Sequence, residues 1–205
     1  MTYHLYTDGG LNPQTDMPAG SGKGGQGMIA HNDNNEVVFE ATIHTPEQTT
    51  NQRMEMLAVI NGLNHLQNTL HVPRNTNVIV YTDSAYIVNC IKSEWWFNWV
   101  VKQNGQWLNS SKRPVENKDL WRDLLARCTF PYYALSRIWG PNNPHMRLAT
   151  DDDRFAFAHC IITGLNVQFQ KVKGHSGNHY NELADKLATR GKHGETFFLD
   201  MREQP

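Results

Sequence analysis

The stretch Tyr6-Thr7-Asp8-Gly9-Gly10 ends an alternating, strand-like run that begins at residue 2, and Tyr81-Thr82-Asp83-Ser84 ends a second strand-like run. Each run is rich in residues that favour β-structure, finishes in an aspartate and then passes into small residues. An ionised carboxylate at the end of a buried strand is costly unless positive charge lies against it. The two stretches therefore predict that two strands deliver carboxylates to one place, where a divalent metal ion would offset their charge.

Hydrophobic periodicity in the rest of the chain predicts an α/β domain with a mixed sheet. Strands are expected at residues 2–8, 28–30, 37–43, 78–81 and 167–172, and helices at 51–70, 85–92, 95–102, 116–127 and 179–190. The glycine-rich residues 20–27 are interpreted as an approach to the second strand. Thr49 and Gln52 are interpreted as a capping box that starts the first helix.

Composition indicates one soluble domain. The chain has 205 residues, of which 39% are hydrophobic and 19% charged, with a net charge of −1 that predicts no general attraction to nucleic acid. It lacks the roughly 18–20 consecutive apolar residues that would span a membrane, and its N-terminus lacks a signal-peptide pattern. The three cysteines are far apart and without a C-x-x-C pair, which is typical of a reducing compartment. We therefore expect a cytoplasmic protein with no membrane partner.

We interpret residues 1–205 as a single catalytic domain with an inserted segment at about 129–165 and a short peripheral tail after residue 191. The inserted segment contains turn residues and the run Asp151-Asp152-Asp153. These three acids are interpreted as solvated loop residues or a helix start rather than metal ligands.

Two further acids could complete the site predicted at the strand ends. Glu55 is expected in the first turns of the long helix, beside its apolar stripe, and Asp185 in the final helix. Taken alone, each acid could also be a helix cap, a turn residue or a solvated charge. A cluster of acids is what phosphodiester cleavage with two metal ions needs, and carboxylate oxygens are suitable ligands for Mg²⁺.

The neighbours of these acids carry a family resemblance. The segments are Tyr6-Thr7-Asp8-Gly9, Thr50-Asn51-Gln52-Arg53-Met54-Glu55, Tyr81-Thr82-Asp83-Ser84, Val172-Lys173-Gly174-His175-Ser176-Gly177 and Asn181-Glu182-Leu183-Ala184-Asp185. In this order they resemble ribonuclease H of type 1, over nearly the whole chain outside two insertions. The resemblance implies a three-layer α/β fold with a five-stranded mixed sheet and helices on both faces. It also implies metal-dependent hydrolysis of the RNA strand in RNA–DNA hybrids.

The resemblance also assigns roles to residues. It implies that Asp8, Glu55, Asp83 and Asp185 are the ligands of two Mg²⁺ ions, for which Mn²⁺ is an expected substitute. It implies that His175 assists proton transfer or product release, for which a near-neutral pKa is suitable. An ordinary loop histidine is the alternative. His175 and His179 have a spacing that can bind zinc, but no thiolate or third ligand accompanies them.

Several residues are expected to contact the substrate. Amides that both donate and accept hydrogen bonds can read sugars near the metals, and Asn51 and Gln52 resemble the amide pair of the family. The remaining expected contacts are Ser84, Asn12, Lys102, Lys112 and Arg113, the last three with phosphates. Asn12 follows Asp8 at a shorter spacing than in the family, and residues 13–23 look inserted.

Two other features would alter how the protein binds the substrate. Ala85 stands where bacterial relatives often carry an amide. Most tryptophans of residues 95–107 are expected in the core, so few phosphates would be neutralised and the dependence of affinity on salt would be modest.

The predicted protein is thus an endoribonuclease that leaves 3′-hydroxyl and 5′-phosphate ends, acts on RNA–DNA hybrids and is a monomer. Since no separate hybrid-binding module accompanies the predicted domain, we expect limited processivity. Two alternatives remain, a non-catalytic hybrid-binding module and a DNA-acting nuclease of the same fold, such as a resolvase or transposase. Asn51, Gln52 and the loop around His175 argue against the DNA-acting alternative.

Overall fold

A mixed sheet forms the centre of the computed structural model, which describes residues 1–13, 20–99, 103, 106–129, 164–174 and 177–203. Its strands are β1 (Thr2–Pro13), β2 (Ser21–Asn32), β3 (Val37–Thr50), β4 (Asn77–Thr82), β5 (Asn166–Lys171) and β6 (Phe197–Asp200). Among the described residues they lie in the order β5-β4-β1-β2-β3-β6. β1 pairs with β4, and β4 with β5, in parallel, whereas the other neighbours are antiparallel.

Helices cover both faces of this sheet, which confirms the predicted three-layer α/β class. They are α1 (Asn51–Asn64), which continues into a π-helical turn at His65–Thr69, α2 (Ala85–Lys92), α3 (Trp95–Phe97), α4 (Lys118–Ala126) and α5 (His179–Lys192). The larger hydrophobic core packs α1, α2 and α4 on one face, around buried side chains such as Leu5, Leu63 and Trp121. A smaller cluster packs α5 on the other face, and it includes Tyr6 and Ile29.

The described sheet has six strands rather than the predicted five, because the end of the chain adds one. We expected a peripheral tail after residue 191, but β6 pairs with β3 from Phe39 to Thr42. Phe198 also stacks on His65 with ring centroids 5.1 Å apart. A run of four residues is too short to identify as a strand without knowing that an edge of the sheet lies beside it.

The glycine-rich residues lie inside β2 and do not merely precede it, as the sequence had suggested. A Cβ atom on Gly27 would lie 2.0 Å from the carbonyl oxygen of Ala184 in α5, and one on Gly25 would lie 2.2 Å from that of Ala188. Because these positions carry no side chain, the backbone of α5 can lie directly on the sheet.

The N-cap of the first helix lies one residue later than predicted. Thr50, rather than Thr49, is the N-cap, and its hydroxyl accepts a hydrogen bond from the backbone N–H of Arg53 at 3.4 Å. Thr49 still belongs to β3, where it pairs with Gly22. Sheet pairing therefore decides where strand ends and helix begins.

Most of the predicted inserted segment, residues 130–163, lies outside the described residues. The residues that flank it are adjacent, since Thr129 N–H donates to the carbonyl oxygen of Leu165 at 2.9 Å and Cys128 forms a β-bridge with Leu165. The division into one domain with an insertion stays a prediction.

Two further expectations concern burial. Trp96, Trp99 and Trp107 are buried as predicted, whereas Trp95 is 40% exposed. Of the helices within the described ranges, none is both long and apolar enough to cross a membrane.

Candidate metal centre

Three carboxylates meet where the parallel pairing between two strands ends. β1 and β4 are neighbours, and their last paired residues are Tyr6 and Tyr81. Asp8 and Asp83 follow two residues later, so both lie at the same edge region of the sheet. One carboxylate oxygen from each of Asp8, Glu55 and Asp83 lies within 4.8 Å of the others.

Glu55 reaches this cluster because α1 lies almost against the backbone of β1. A Cβ atom on Gly9 would be only 2.2 Å from the carbonyl carbon of Met54 and 2.3 Å from the backbone nitrogen of Glu55. Any side chain at residue 9 would therefore push α1, and with it Glu55, away from the strand. The glycine that follows Asp8 is a structural requirement of the site.

The Glu55 side chain is 7% exposed and only partly satisfied by the protein. The side-chain amide of Asn51 donates to Oε1 at 3.5 Å, and the backbone N–H of Gly9 is a further donor to the carboxyl. In the part of the chain that the structure describes, Oε2 is buried without a hydrogen-bond partner. A buried carboxylate oxygen without a partner is costly unless a cation binds it.

Burial and mutual repulsion raise the pKa values of two acids. Burial, followed by the charges of Asp8 and Asp83, raises the pKa of Glu55 to about 9. Burial, followed by the charges of Asp83 and Asp185, raises the pKa of Asp8 to about 7, while Lys192 opposes this rise. The protein alone thus does not offset the negative charge of the cluster, and the donor set suits a divalent cation with oxygen ligands.

Asp185 lies beside this group of three rather than within it. It projects from the second turn of α5, is partly buried, and its carboxyl is within hydrogen-bonding contact of Asp8. The close packing of α5 on Gly25 and Gly27 brings it there. Asp185 can therefore extend the cluster on the side of Asp8.

The polar side chains that were predicted to contact the substrate near the metals lie on three different elements. Asn51 and Gln52 are exposed in the first turn of α1, where Asn51 contacts Glu55. Ser84 is the N-cap residue of α2, directly after Asp83, and its backbone N–H donates to the Thr82 hydroxyl at 3.2 Å. Asn12 lies in β1 opposite Lys23 of β2.

The predicted phosphate contacts are described only in part. Lys112 and Arg113 are exposed on a tight loop in which the Asn109 side chain accepts a hydrogen bond from the Arg113 N–H at 3.1 Å. This loop borders a cavity of about 550 Å³ that is lined partly by Trp95 and Asn109. Lys102 and His175 lie outside the described residues, so their predicted roles stay predictions.

Open space adjoins the cluster on the β5 side. A cavity of about 440 Å³ is lined by Asp83, Lys171, Val172, Lys173 and Gly174. A ligand of the metal centre could approach from here. Lys192 was not predicted as part of the site, although its spacing of seven residues from Asp185 was a usable signal because it places both residues on one helix face.

A family model described as RNase H matches residues 1–133. The chain belongs to the RNase H family. It is 33% identical to the ribonuclease H of Prosthecochloris aestuarii over 184 residues, which cover 90% of each chain. Members of this family depend on divalent metal ions, and the group of Asp8, Glu55 and Asp83 is able to bind one.

Two further comparisons differ in coverage. The chain is 36% identical to the ribonuclease H of Thermoanaerobacter sp. (strain X514) over 143 residues, which are 70% of this chain and 64% of that relative. The match thus spans less than two thirds of the length of that relative. The structure of LC11-RNase H1 in complex with an RNA/DNA hybrid is similar in fold, with a TM-score of 0.51, 16% identity and coverage of 92% of this chain and 97% of that one.

Proposed function

We propose that the protein is an endoribonuclease that hydrolyses the RNA strand of RNA–DNA hybrids and leaves 3′-hydroxyl and 5′-phosphate ends. The observation that carries the proposal is the carboxylate cluster where the pairing of β1 with β4 ends, together with the buried Oε2 of Glu55, which has no hydrogen-bond partner among the described residues. Membership of the RNase H family supports it. The proposal includes Mg²⁺ as the physiological metal, with Mn²⁺ as a substitute, and a monomeric, cytoplasmic protein.

Asp8, Glu55, Asp83 and Asp185 are the proposed ligands of two Mg²⁺ ions. Bound at the cluster, such ions would supply charge stabilisation at the phosphate and would lower the pKa of the attacking water. The chain's own contribution is to keep the ligands in place, because the sheet carries two of them and the close contact at Gly9 holds Glu55. In this proposal His175 carries a proton to or from the reacting groups.

Substrate choice is proposed to come from the rim of the cluster. Asn51 and Gln52, exposed beside Glu55, can exchange hydrogen bonds with 2′-hydroxyls, which DNA lacks. Ser84 and Asn12 are further proposed contacts to the hybrid. Lys102, Lys112 and Arg113 are proposed to bind backbone phosphates.

The direct test is cleavage of end-labelled RNA–DNA hybrid, duplex DNA and duplex RNA, each with Mg²⁺ or EDTA. We expect cleavage of the RNA strand of the hybrid alone, and only with metal. Asp8→Asn should lower the rate at least about 100-fold, since it removes a proposed carboxylate ligand of the metal that stabilises charge in the transition state. Asp33→Asn is a matched control, because Asp33 lies on an exposed turn and contacts the backbone of Thr2. Efficient cleavage of duplex DNA, or full activity of Asp8→Asn, would contradict the proposal.

The proposed substrate contacts around the cluster are tested separately. Asn51→Ala and Gln52→Ala should reduce the preference for hybrid over duplex DNA. Replacing Lys112 or Arg113 by Gln should lower the slope of log affinity against log salt by about 1 for each phosphate that is no longer neutralised, with little effect on the preference. An unchanged slope in both variants would remove these two residues from the proposed interface.

A further inference from the structure

Lys192 lies on the same face of α5 as Asp185, seven residues and thus about two turns further along the helix. Two residues of α5 face two residues of β1. Asp185 contacts Asp8, while the Lys192 side chain lies across Gly10, two residues further along β1 and on the same face of the sheet. The metal cluster therefore has an ammonium group next to it in the fold.

Gly10 provides the space for this side chain. A Cβ atom on Gly10 would lie 3.0 Å from the Nζ of Lys192 and 3.2 Å from its Cδ and Cε. Gly10 lies in a regular strand, opposite Gly25 of β2. The missing side chain at residue 10 thus leaves room for the lysine.

The backbone of Lys192 also lies in close contact with the sheet. A Cβ atom on Gly25 would lie 2.1 Å from the Lys192 backbone nitrogen, so the last turn of α5 lies directly on β2. Two neighbouring glycines on paired strands therefore accommodate one lysine, Gly25 its backbone and Gly10 its side chain. With its backbone fixed and its side chain partly buried, the lysine is directed towards the Asp8 side of the cluster.

The charge of Lys192 acts on Asp8. Burial and the charges of Asp83 and Asp185 raise the pKa of Asp8, and Lys192 is the positive group that opposes them. A fixed positive charge beside a carboxylate stabilises the ionised form and repels an arriving cation. Both effects fall on the carboxylates proposed to bind metal.

We propose that Lys192 is a positioning residue that serves as a built-in counter-cation for Asp8 and weakens the binding of the divalent ion. The proposal rests on the proposed function, because it assigns metal binding to Asp8 and the acids beside it. Lys192 stabilises the acid cluster before metal binds. It then limits how tightly the ion is held, so that the ion can leave after cleavage.

A purely structural role makes a different prediction. A lysine in the last turn of a helix stabilises it through the helix dipole and the terminal carbonyl groups. In that case removal of the charge would destabilise the protein whether or not Asp8 is ionisable. It would not tighten metal binding.

The first test is calorimetric titration of Mg²⁺ and Mn²⁺ into Lys192→Met, Lys192→Arg and the wild type. Lys186→Met is the matched control, since Lys186 is exposed on the same helix. We expect Lys192→Met to bind the ion roughly threefold to tenfold more tightly. Lys192→Arg should stay near the wild type because it keeps the charge. Equal or weaker binding by Lys192→Met than by Lys186→Met overturns the proposal.

The second test is thermal unfolding in EDTA at neutral pH, with Lys192→Met made in the wild type and in Asp8→Asn. We expect the substitution to lower Tm by roughly 2–4 °C in the wild type, corresponding to about 1 kcal/mol, and by much less in Asp8→Asn. An equal decrease in both backgrounds overturns the proposal in favour of the helix-end role.

The two tests separate this inference from the proposed function. If the wild type binds no divalent ion, or Asp8→Asn binds it as tightly as the wild type, the metal centre is wrong and the effect of Lys192 on affinity falls with it. If metal binding depends on Asp8 but not on Lys192, only the inference is wrong.

Discussion

On one face of the sheet α1 packs through large apolar side chains such as Met56 and Leu63, whereas on the other face α5 packs through its backbone against Gly25 and Gly27. The first face forms the large core, and the second has only a small apolar cluster. Each face carries an acid to the same cluster. The way each helix is packed decides how that acid is held.

On the α1 face, Glu55 is enclosed and keeps one oxygen without a partner. On the α5 face, Asp185 is only partly buried and shares its surroundings with Lys192. Close backbone contacts hold both acids, at Gly9 for Glu55 and at Gly25 and Gly27 for Asp185, but only Glu55 is also deeply buried. The position of Glu55 should therefore be insensitive to single substitutions in the core. The position of Asp185 should depend on the glycines of β2.

The largest expected effect comes from Gly27→Val. Its Cβ atom would fall 2.0 Å from the carbonyl oxygen of Ala184 and 2.3 Å from the backbone nitrogen of Ala188, and neither backbone atom can move without moving α5. We expect a decrease of about 4–5 kcal/mol in the free energy of unfolding, with weakened metal binding. Urea denaturation and calorimetric titration measure the two effects.

Gly24→Val is the control for this substitution. Gly24 lies in the same strand, but its Cβ atom would meet the flexible side chain of Met54, whose sulfur lies 2.0 Å away. Its expected cost is about 1–3 kcal/mol. If Gly27→Val lowers the free energy of unfolding no more than Gly24→Val does, the backbone contact with α5 is no less tolerant than the side-chain contact with α1.

The next effect is expected from Leu63→Ala in the large core. Leu63 is fully buried against the sheet, so truncation should cost about 3 kcal/mol through reduced burial and the cavity left behind. Metal affinity should stay near that of the wild type, because the contact between Gly9 and α1 is untouched. Chemical denaturation and metal titration test this pair of outcomes, and a marked decrease in metal affinity would show that core packing also holds Glu55.

A smaller effect concerns pH without metal. The pKa of Asp8 is raised from an ordinary 3.8 to about 7, so at intermediate pH the folded protein keeps a proton that the unfolded chain has released. Stability in EDTA should therefore fall as the pH rises through this range. The raised pKa of Glu55, about 9, extends the fall to higher pH.

Asp8→Asn should remove the part of this fall that is due to Asp8. In EDTA it should be more stable than the wild type at pH 8 and nearly equal to it at pH 4. Thermal unfolding across this range measures the difference, with Asp33→Asn as the control. A wild type that is as stable in EDTA at pH 8 as at pH 5 would contradict the raised pKa values.

The smallest effect is expected at the ion pair between α1 and α4. Both guanidinium NH groups of Arg53 donate to the Asp119 carboxylate, at 3.0 and 2.6 Å, but Asp119 is 61% exposed. Asp119→Ala should cost less than about 1 kcal/mol, and less again at high salt. Urea denaturation at two salt concentrations tests this. A cost close to that of Leu63→Ala would mean that ion pairing, rather than apolar burial, holds this face together.

Local patterns predicted most of the described elements. β4, the helix at residues 85–92 and the start of β1 were predicted because alternation and helical periodicity are properties of neighbouring residues, but β1 runs on to Pro13 instead of ending at Asp8. Asp8 and Asp83 were predicted to share a site from their local contexts, whereas Glu55 was assigned to it by the family resemblance. β6 and the extent of β2 were not predicted, because a short apolar run and a glycine-rich run become strands here only through their partners in the sheet.

By itself, the sequence determined the order of strands and helices up to the last helix, the aspartates that follow the paired parts of β1 and β4, and the family to which the chain belongs. Only the tertiary structure decided which acids meet, that Glu55 Oε2 is left without a partner in the described part of the chain, and that Lys192 lies beside Asp8 across Gly10. The physical reason is that periodicity and turn chemistry act between near neighbours along the chain. Burial, repulsion between carboxylates and the close approach of a helix to a strand depend instead on residues far apart in sequence.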